Sequence, residues 1–181
     1  LTHKRDGIVR GSASLVNLSN KKENACIVKD RAAAVYSFSK GSSTQDYPSS
    51  LAGSIALLRQ THYDAQWYAT ATENRDYNIS LEEFNRLQQL PSLFETRDKY
   101  DIARITQLGK EFGMNYLVKG SGNEYQRISD MKESGLKFIL PLNFPDAYDV
   151  QDPFDAEMIT LSELKHWELA PGNPSAFEKR F

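Results

Sequence analysis

The sequence predicts an α/β fold with a parallel β-α-β-α-β unit near its centre. Three observations support this prediction. Short apolar runs alternate with amphipathic segments between residues 91 and 142. Each amphipathic segment is followed by a glycine, Gly113 or Gly135, and glycine commonly ends a helix. The connections span only a few residues, and strands joined through helices form parallel sheets with right-handed crossovers.

Length and composition are those of one globular domain. The chain has 181 residues, of which 40% are hydrophobic and 25% charged, so intrinsic disorder is excluded. Its 22 Lys and Arg against 24 Asp and Glu give a net charge of −2, which disfavours nucleic acid as a partner. No apolar run reaches the roughly 20 residues of a membrane span. We see no signal peptide, and the sequence leaves the compartment open.

We divide this single predicted domain into four segments. They are a strand-rich start (1–46), a helical segment (47–90), the βαβαβ unit (91–142) and a final segment of loop and helices (143–181). In the first segment, residues 25–28 are a short apolar run, and we expect Cys26 to be a small core residue. A single cysteine excludes an intrachain disulfide and any multi-cysteine metal cage. Residues 32–38 fit a strand or a helix equally well.

A long helix is predicted to begin near Ser49 and Ser50. Its apolar residues recur at helical spacing, at Leu51, Ile55, Leu58, His62 and Ala65. We expect Trp67 and Tyr68 to extend the same buried face, and His62 to be a hydrogen-bonded core residue.

Two S/T-x-x-E patterns predict the starts of further helices. Ser80 with Glu83, and Thr160 with Glu163, each match a capping box, in which the two side chains satisfy free backbone amides. A last helix is predicted from Pro174, with Asn173 as its N-cap.

The βαβαβ unit has three predicted strands and two predicted helices. The strands cover 91–95, 114–119 and 137–140, and the helices cover 98–112 and 124–134. Ligands of parallel α/β folds bind at the carboxyl ends of the strands. The candidate pocket residues at these ends are Glu95, Arg97, Lys119, Ser121, Asn123 and Asn143.

Each candidate also has a purely structural interpretation. Asp98 can cap its helix, Arg97 can be solvated, and the glycines after a strand can serve only to turn the chain. The run from Gly120 to Asn123 resembles a phosphate-binding glycine loop but lacks the third glycine of G-x-G-x-x-G. Among the other histidines, we expect His166 to be packed or half-exposed and His3, near the terminus, to be mobile.

Several segments resemble the amidohydrolase superfamily, in particular its bacterial imidazolonepropionase-like proteins. Residues 47–59, YPSSLAGSIALLR, resemble the family's P-S-[ST]-x-x-G-x-x-A-L-L-R segment. Residues 101–113, DIARITQLGKEFG, resemble D-I-x-x-A-x-x-L-x-x-E-F-G. Residues 117–125 are similar to V-x-x-H-G-x-E-x-Y, and residues 132–140 to K-x-x-G-x-x-x-I-x-P.

The resemblance implies a part of a (β/α)8 TIM barrel of a metal-dependent hydrolase, an incomplete barrel in this chain. Family members hydrolyse C–N bonds, often of cyclic amides, with metal-activated water. At the positions of the family's fifth- and sixth-strand histidine ligands, this sequence has Glu95 and Gly120. Glycine offers no side-chain ligand, and Glu95 alone is a weak candidate, so we expect no metal site within this chain. A divalent metal such as zinc is implied only for an intact catalytic member.

Three hypotheses about function follow. The chain is a fragment of an amidohydrolase-like hydrolase that needs residues outside it, or a non-catalytic structural or binding module that lost its metals. The third and weaker hypothesis is an α/β domain that binds a small anion through Arg97, Lys119 and the amides of Gly120 to Asn123. A barrel without its first and eighth strands exposes two sheet edges. The expected partners are therefore the remaining parts of a longer polypeptide, or a second copy that associates through these edges.

Overall fold

The computed structural model describes residues 1–71, 73 and 75–180, without the side chain of residue 180. Within these residues, five strands form one sheet in the order β1-β2-β3-β4-β5. The strands are β1 (Val9–Val16), β2 (Ile27–Ser37), β3 (Ser92–Glu95), β4 (Tyr116–Lys119) and β5 (Lys137–Ile139). β1 is antiparallel to β2, whereas β2 to β5 are parallel to one another. The predicted α/β class and its parallel βαβαβ unit are thus observed.

The described residues form seven α-helices. They are α1 (Leu51–Thr70), α2 (Ile79–Leu87), α3 (Asp101–Phe112), α4 (Ile128–Ser134), α5 (Pro153–Met158), α6 (Leu161–Leu169) and α7 (Asn173–Arg180). Short 3-10 turns cover residues 23–26, 124–127 and 170–172. None of these helices has the length and apolar character needed to cross a membrane.

Helices and strands share one main core on one face of the sheet. Tyr36 of β2, Phe94 of β3 and Tyr116 of β4 meet there, with Tyr36 and Tyr116 5.7 Å apart between ring centroids. Because side chains alternate along a strand, the next residue of each strand points to the opposite face. That face carries a second, smaller cluster made only of strand residues, namely Ala13, Ala33, Val35, Leu93 and Leu117.

Helix α1 begins as predicted. The Ser50 hydroxyl oxygen accepts a hydrogen bond of 3.1 Å from the amide of Gly53, which satisfies one of the free amides of the first turn. The predicted apolar face of α1 is buried at Leu58, His62 and Ala65. Tyr68, which is 4% exposed, extends this buried face as predicted. The prediction is wrong for Trp67, which is 59% exposed. Adjacent helical positions point about 100° apart, so Trp67 and Tyr68 cannot share one narrow buried face.

His62 is buried as predicted, but it packs rather than hydrogen-bonds. Its ring stacks on Phe112 at 4.4 Å and meets the edge of Phe84 at 4.9 Å. Neither ring nitrogen has a hydrogen-bond partner within the described part of the chain. Burial lowers the pKa of His62 to about 4, although the charge of Glu111 acts to raise it. His62 therefore behaves as a neutral aromatic residue of the core.

The helix-start predictions have mixed outcomes. Thr160 and Glu163 form the predicted capping box at the start of α6. The box predicted for Ser80 and Glu83 is wrong, because the helix begins earlier and Asn78 is its N-cap. The side-chain oxygen of Asn78 accepts bonds of 3.1 Å from the amides of Ser80 and Leu81. Asparagine at this position satisfies two amides at once, so the later serine has no capping role.

Two predicted helices start later than expected. α3 begins at Asp101, because Asp98 forms a separate turn in which its carboxylate accepts a 2.7 Å bond from the amide of Tyr100. Residues 124–127 form a 3-10 turn, and α4 follows from Ile128. Gly113 and Gly135 end their helices with φ of 66°, as the sequence predicts.

Residues 25–28 do not enter the core. β2 pairs with β3 only from Ala34 onward, so its first half pairs with β1 alone and forms a two-stranded ribbon. Ile27 and Val28 are 46% and 56% exposed, and Cys26 is half-buried. The prediction of Cys26 as a core residue is therefore wrong, because residues 25–28 lie at the end of this ribbon and belong to neither buried cluster.

Candidate functional site

The site begins with a carboxylate and an ammonium group on adjacent parallel strands. Glu95 ends β3 and Lys119 ends β4, and the two residues are paired in register. Lys119 Nζ lies 2.6 Å from Oε1 of Glu95, which is only 8% exposed. Strand alternation puts both side chains on the face opposite the helices, together with Leu93 and Leu117. The pair therefore lies at the carboxyl edge of the parallel sheet.

Arg10 and His3 also contact Glu95. Arg10 donates from Nη1 to Oε2, and His3 Nε2 lies 3.3 Å from Oε1. Arg10 is fixed from behind, since its Nε donates to the carbonyl of Gly7 at 3.3 Å and its Nη2 to the carbonyl of Ser39 at 3.2 Å. Both carboxylate oxygens of Glu95 therefore accept hydrogen bonds, Oε1 from Lys119 and Oε2 from Arg10.

The antiparallel direction of β1 explains how Arg10 reaches the site. Val9 of β1 pairs with Tyr36 near the end of β2, so the start of β1 lies beside the carboxyl ends of the parallel strands. The amide of Ser37 donates to the carbonyl of Ile8 at 3.0 Å, which holds this end of the hairpin. Residues before and within β1 therefore line the same edge as the residues after β3 and β4.

The cations decide the protonation of Glu95. Burial by itself would raise the pKa of this carboxyl, but the hydrogen bond and charge of Lys119 and the charges of Arg10 and His3 outweigh burial and lower the pKa. For Arg10, burial and the nearby charge of Arg5 lower the pKa against the raising effect of Glu95. Glu95 is therefore an ionised carboxylate that counterbalances a cluster of positive charge.

A cavity of about 440 Å³ opens beside this pair. Its lining residues are Arg5, Arg10, Ser37, Ser39, Gly41, Glu95, Thr96, Arg97, Lys119, Gly120, Ser121, Pro141 and Asn143. The lining therefore has four basic side chains and a single carboxylate, which makes the cavity electropositive. We call it the cationic cavity.

The cationic cavity contains most of the residues singled out from the sequence. Glu95, Arg97, Lys119, Ser121 and Asn143 all line it. Asn123 is absent from the lining, and its side-chain oxygen instead accepts a 2.8 Å bond from the hydroxyl of Ser121.

The side chain of Arg97 is an open cation of this cavity. It is 42% exposed, and its Nε lies 3.6 Å from the carboxylate of Asp101. Asp101 is itself occupied, since it accepts a 3.0 Å bond from the amide of Arg97 and lies 3.2 Å from Arg104 Nη1. Arg97 therefore keeps donors available toward the cavity.

The loop after β4 is not an anion cradle. The amides of Ser121 and Gly122 donate to the carboxylate of Glu124, which is 1% exposed, and Asn173 Nδ2 donates to the same carboxylate at 2.9 Å. The expectation that these amides bind an external anion is therefore wrong, because a buried side chain of the protein already occupies them. Asn173 is the first residue of α7, and its side chain makes this contact with Glu124. The prediction of Asn173 as the N-cap of the last helix is therefore wrong.

The glycine at position 120 allows close packing of this loop on Glu124. A Cβ at Gly120 would lie 2.7 Å from Oε1 of Glu124 and 2.9 Å from its Cδ. The amide of Gly120 donates to the carbonyl of Ile139 at 3.0 Å, which ties this part of the loop to the end of β5. The loop therefore packs against its own carboxylate.

Sequence reasoning missed Arg5, Arg10 and His3. Arg5 and Arg10 line the cavity. We expect a mobile His3 from the sequence, but its side chain is 8% exposed and lies against Glu95. The signal that could have predicted their position is the β1–β2 hairpin. Its antiparallel pairing brings residues 3–10 to the carboxyl edge of the sheet.

The residues at the two positions expected for metal ligands do not suit a metal ion. Glu95 already contacts Lys119, Arg10 and His3, and a divalent cation beside it would meet the like charges of Lys119 and Arg10. Gly120 has no side chain, and the space beside it is filled by Glu124. Across residues 1–71, 73 and 75–180, no group of three or more His, Cys, Asp or Glu side chains lies close enough to hold a metal ion.

Comparison with known proteins supports the fold. No family model and no curated protein matches the chain. Among solved structures, the chain is similar to the crystal structure of an amidohydrolase from Thermotoga maritima MSB8, with a TM-score of 0.59 and 16% sequence identity. The match covers 91% of this chain but 46% of that protein, so the chain spans less than half of its length. At this level of identity, the likeness shows a shared α/β fold.

Proposed function

We propose that this chain is a section of an amidohydrolase-like α/β barrel, and that its own site binds the anionic group of a small ligand. One observation carries the proposal. Four cationic side chains and a single carboxylate line a cavity at the carboxyl edge of a parallel sheet. This edge is where ligands of α/β barrels bind.

Three features support the barrel. The parallel strands β2 to β5 follow one another in sequence order across the sheet, as strands do around a barrel, and antiparallel β1 lies at the edge beside them. The face opposite the helices carries a cluster made only of strand residues, which suits the interior of a barrel. The third feature is the fold shared with the Thermotoga amidohydrolase.

The cations divide into two roles. Arg10 and Lys119 are held by Glu95, which keeps both positive charges at the cavity wall at a fixed position. Arg97 and Arg5 are more open, and the Arg5 guanidinium has no hydrogen-bond partner within the described ranges. Guanidinium groups bind carboxylate and phosphate through paired N–H donors. We therefore assign ligand contact to Arg97 and Arg5, and electrostatic support to Arg10 and Lys119.

We propose that the chain's own residues bind the ligand without a metal ion. The donors of a metal site are lone pairs, whereas the lone pairs of Glu95 already accept bonds from Lys119 and Arg10. The net positive charge of the cavity instead favours binding of an anionic ligand beside the cations.

A second candidate function is hydrolysis of a C–N bond by a longer protein of which this chain is a part. The similarity to a structure described as an amidohydrolase favours it. In that case the groups that activate water come from outside these residues, and the cationic cavity orients the substrate. A non-catalytic binding module of a longer protein is the alternative, and it uses the same cavity in the same way.

Calorimetric titration with inorganic phosphate tests the proposal. We expect binding that weakens as salt is added, because screening reduces attraction between charges. Arg97→Ala should weaken binding about 10-fold or more, since a hydrogen bond to a charged group contributes roughly 1.5–3 kcal/mol. Arg127→Ala is the matched control, because Arg127 is an exposed arginine that lines a different cavity. Equal losses in both variants, or no binding by the unmodified chain, would overturn the proposal.

A further inference from the structure

A second cavity adjoins the cationic cavity. Its volume is about 240 Å³, and it shares Ser121, Pro141 and Asn143 with the first. The remaining lining residues of the second cavity are Gly122, Phe144, Pro145, His166 and Ala170. None of these five is charged when the histidine is neutral. The shared residues place the two cavities side by side, and we call them the cationic half and the neutral half of one candidate ligand site.

His166 is the one lining residue of the neutral half with a ring that both donates and accepts hydrogen bonds. Its ring stacks parallel to that of Tyr125, with an angle of 10° between the planes. Its Nδ1 lies 3.2 Å from the hydroxyl of Tyr125, and no other hydrogen bond of the ring is present among the described residues. One nitrogen of His166 is thus held, and the other remains available.

A chain of hydrogen bonds leads from Lys99 through Gln126 and Tyr125 to His166. The ammonium of Lys99 can only donate, so the group of Gln126 that contacts it is the amide oxygen. The amide nitrogen of Gln126 then donates to the Tyr125 hydroxyl at 3.1 Å. That hydroxyl keeps its own proton, and in the arrangement inferred below it donates this proton to His166 Nδ1, which places the ring proton on Nε2.

We infer that the neutral half is a second subsite of the same ligand site, in which His166 donates a hydrogen bond from Nε2. The inference rests on the proposed anion binding and extends it to a ligand class. The ligand is a phosphate monoester whose organic part carries a hydrogen-bond acceptor. The phosphate occupies the cationic half, and the acceptor meets His166.

The charge of the cationic half favours phosphate over a carboxylate. Four cationic side chains face one carboxylate in its lining. A phosphate monoester carries a charge of about −1.5 to −2 at pH 7, and it offers three strongly accepting oxygens. A carboxylate carries one charge and two oxygens, and leaves more of the positive charge uncompensated.

Paired titrations with inorganic phosphate and glycerol 3-phosphate test the inference. We expect the full chain to bind glycerol 3-phosphate at least 10-fold more tightly than inorganic phosphate. His166→Phe keeps a ring beside Tyr125 but removes both nitrogens, so it should abolish this difference and leave phosphate binding unchanged. Lys165→Ala on the same helix is the control, since Lys165 is exposed and lines neither cavity.

The tautomer provides a second, independent measurement. Nitrogen-15 NMR of the His166 ring should show a protonated Nε2 and an unprotonated Nδ1, and Tyr125→Phe should allow the other tautomer to appear. A proton on Nδ1 in the unmodified chain would overturn the inference. Equal affinities for the two ligands, with phosphate still bound, would overturn the second subsite alone. Failure of both ligands to bind would overturn the proposed function as well.

Discussion

Glu95 and Lys119 form an ion pair across two neighbouring parallel strands, with 2.6 Å between Oε1 and Nζ. Their strands are in register at this pair, so the backbone itself sets the separation of the two side chains. Arg10 arrives from the antiparallel strand and contacts the other oxygen of the same carboxylate. Glu95 is thus the anion around which three sequence-distant segments assemble.

Glu95→Gln should lower stability substantially. The substitution leaves Arg10, whose side chain is 4% exposed, without its counter-charge. Removal of one partner of a buried ion pair costs roughly 3–5 kcal/mol. Urea denaturation measures the change in the free energy of unfolding.

The matched control for this prediction is Glu111→Gln. Glu111 pairs with Arg59 on the exposed helical surface, where ion pairs contribute little. Similar midpoints for the two variants would show that Glu95 does not organise the cationic cavity.

His62 should make stability fall as the pH is lowered from about 6.5 to about 4. In this interval the unfolded chain binds a proton at His62, whereas the folded chain holds the ring neutral because burial lowers its pKa to about 4 from 6.5. The expected loss is about 3 kcal/mol, at roughly 1.4 kcal/mol per pH unit. His62→Phe keeps an aromatic ring and should reduce this slope in urea midpoints measured between pH 7 and 4. An unchanged slope in the variant would contradict the assignment.

Gly120→Ala should destabilise the loop through Glu124 in particular. The new Cβ would crowd a buried carboxylate that is held by the amides of Ser121 and Gly122, and overpacking typically costs about 1–3 kcal/mol. In the Glu124→Ala background the same glycine substitution should cost much less, so a double-mutant cycle should show strong coupling. Gly172→Ala, which meets no atom within 4 Å, is the control and should be near neutral. Additive effects would exclude this packing.

The free edge of β5 should promote association of the isolated chain. β5 pairs with β4 on one side, and within the described residues no strand pairs with its other side. Ile139 at this edge is 41% exposed, and Lys on an edge strand opposes pairing between sheets. Light scattering should show concentration-dependent association that Ile139→Lys reduces and Ile79→Lys, on exposed α2, does not. A monomer at all concentrations would contradict this prediction.

The sequence predicted the parallel unit well because each of its elements has a local signal. Apolar runs, helical spacing and the glycines at 113 and 135 all depend on neighbouring residues. The same local logic placed Glu95 and Lys119 at one sheet edge, since parallel strands end together. It failed where a non-local contact decides the outcome, as for Asn173, whose amide contacts a carboxylate 49 residues away.

The β1–β2 hairpin also shows that local sequence patterns do not predict non-local contacts. Residues 25–28 are apolar, but they lie at the end of the ribbon and belong to neither buried cluster. Arg10 carries no motif of its own, and its role arises only from the register of β1 on β2. Local patterns therefore predict the strands and helices, whereas the composition of the site depends on pairing between distant segments.

The central claim is that the cationic cavity binds an anion. Backbone amide shifts followed by NMR during titration with inorganic phosphate test it most directly. We predict that the largest shifts occur around the cavity, at Thr96, Arg97 and Gly120, and that they diminish with added salt. Shifts concentrated instead at Lys99 and Lys110, in the separate cavity between α3 and α4, would contradict the account, as would the absence of any shift.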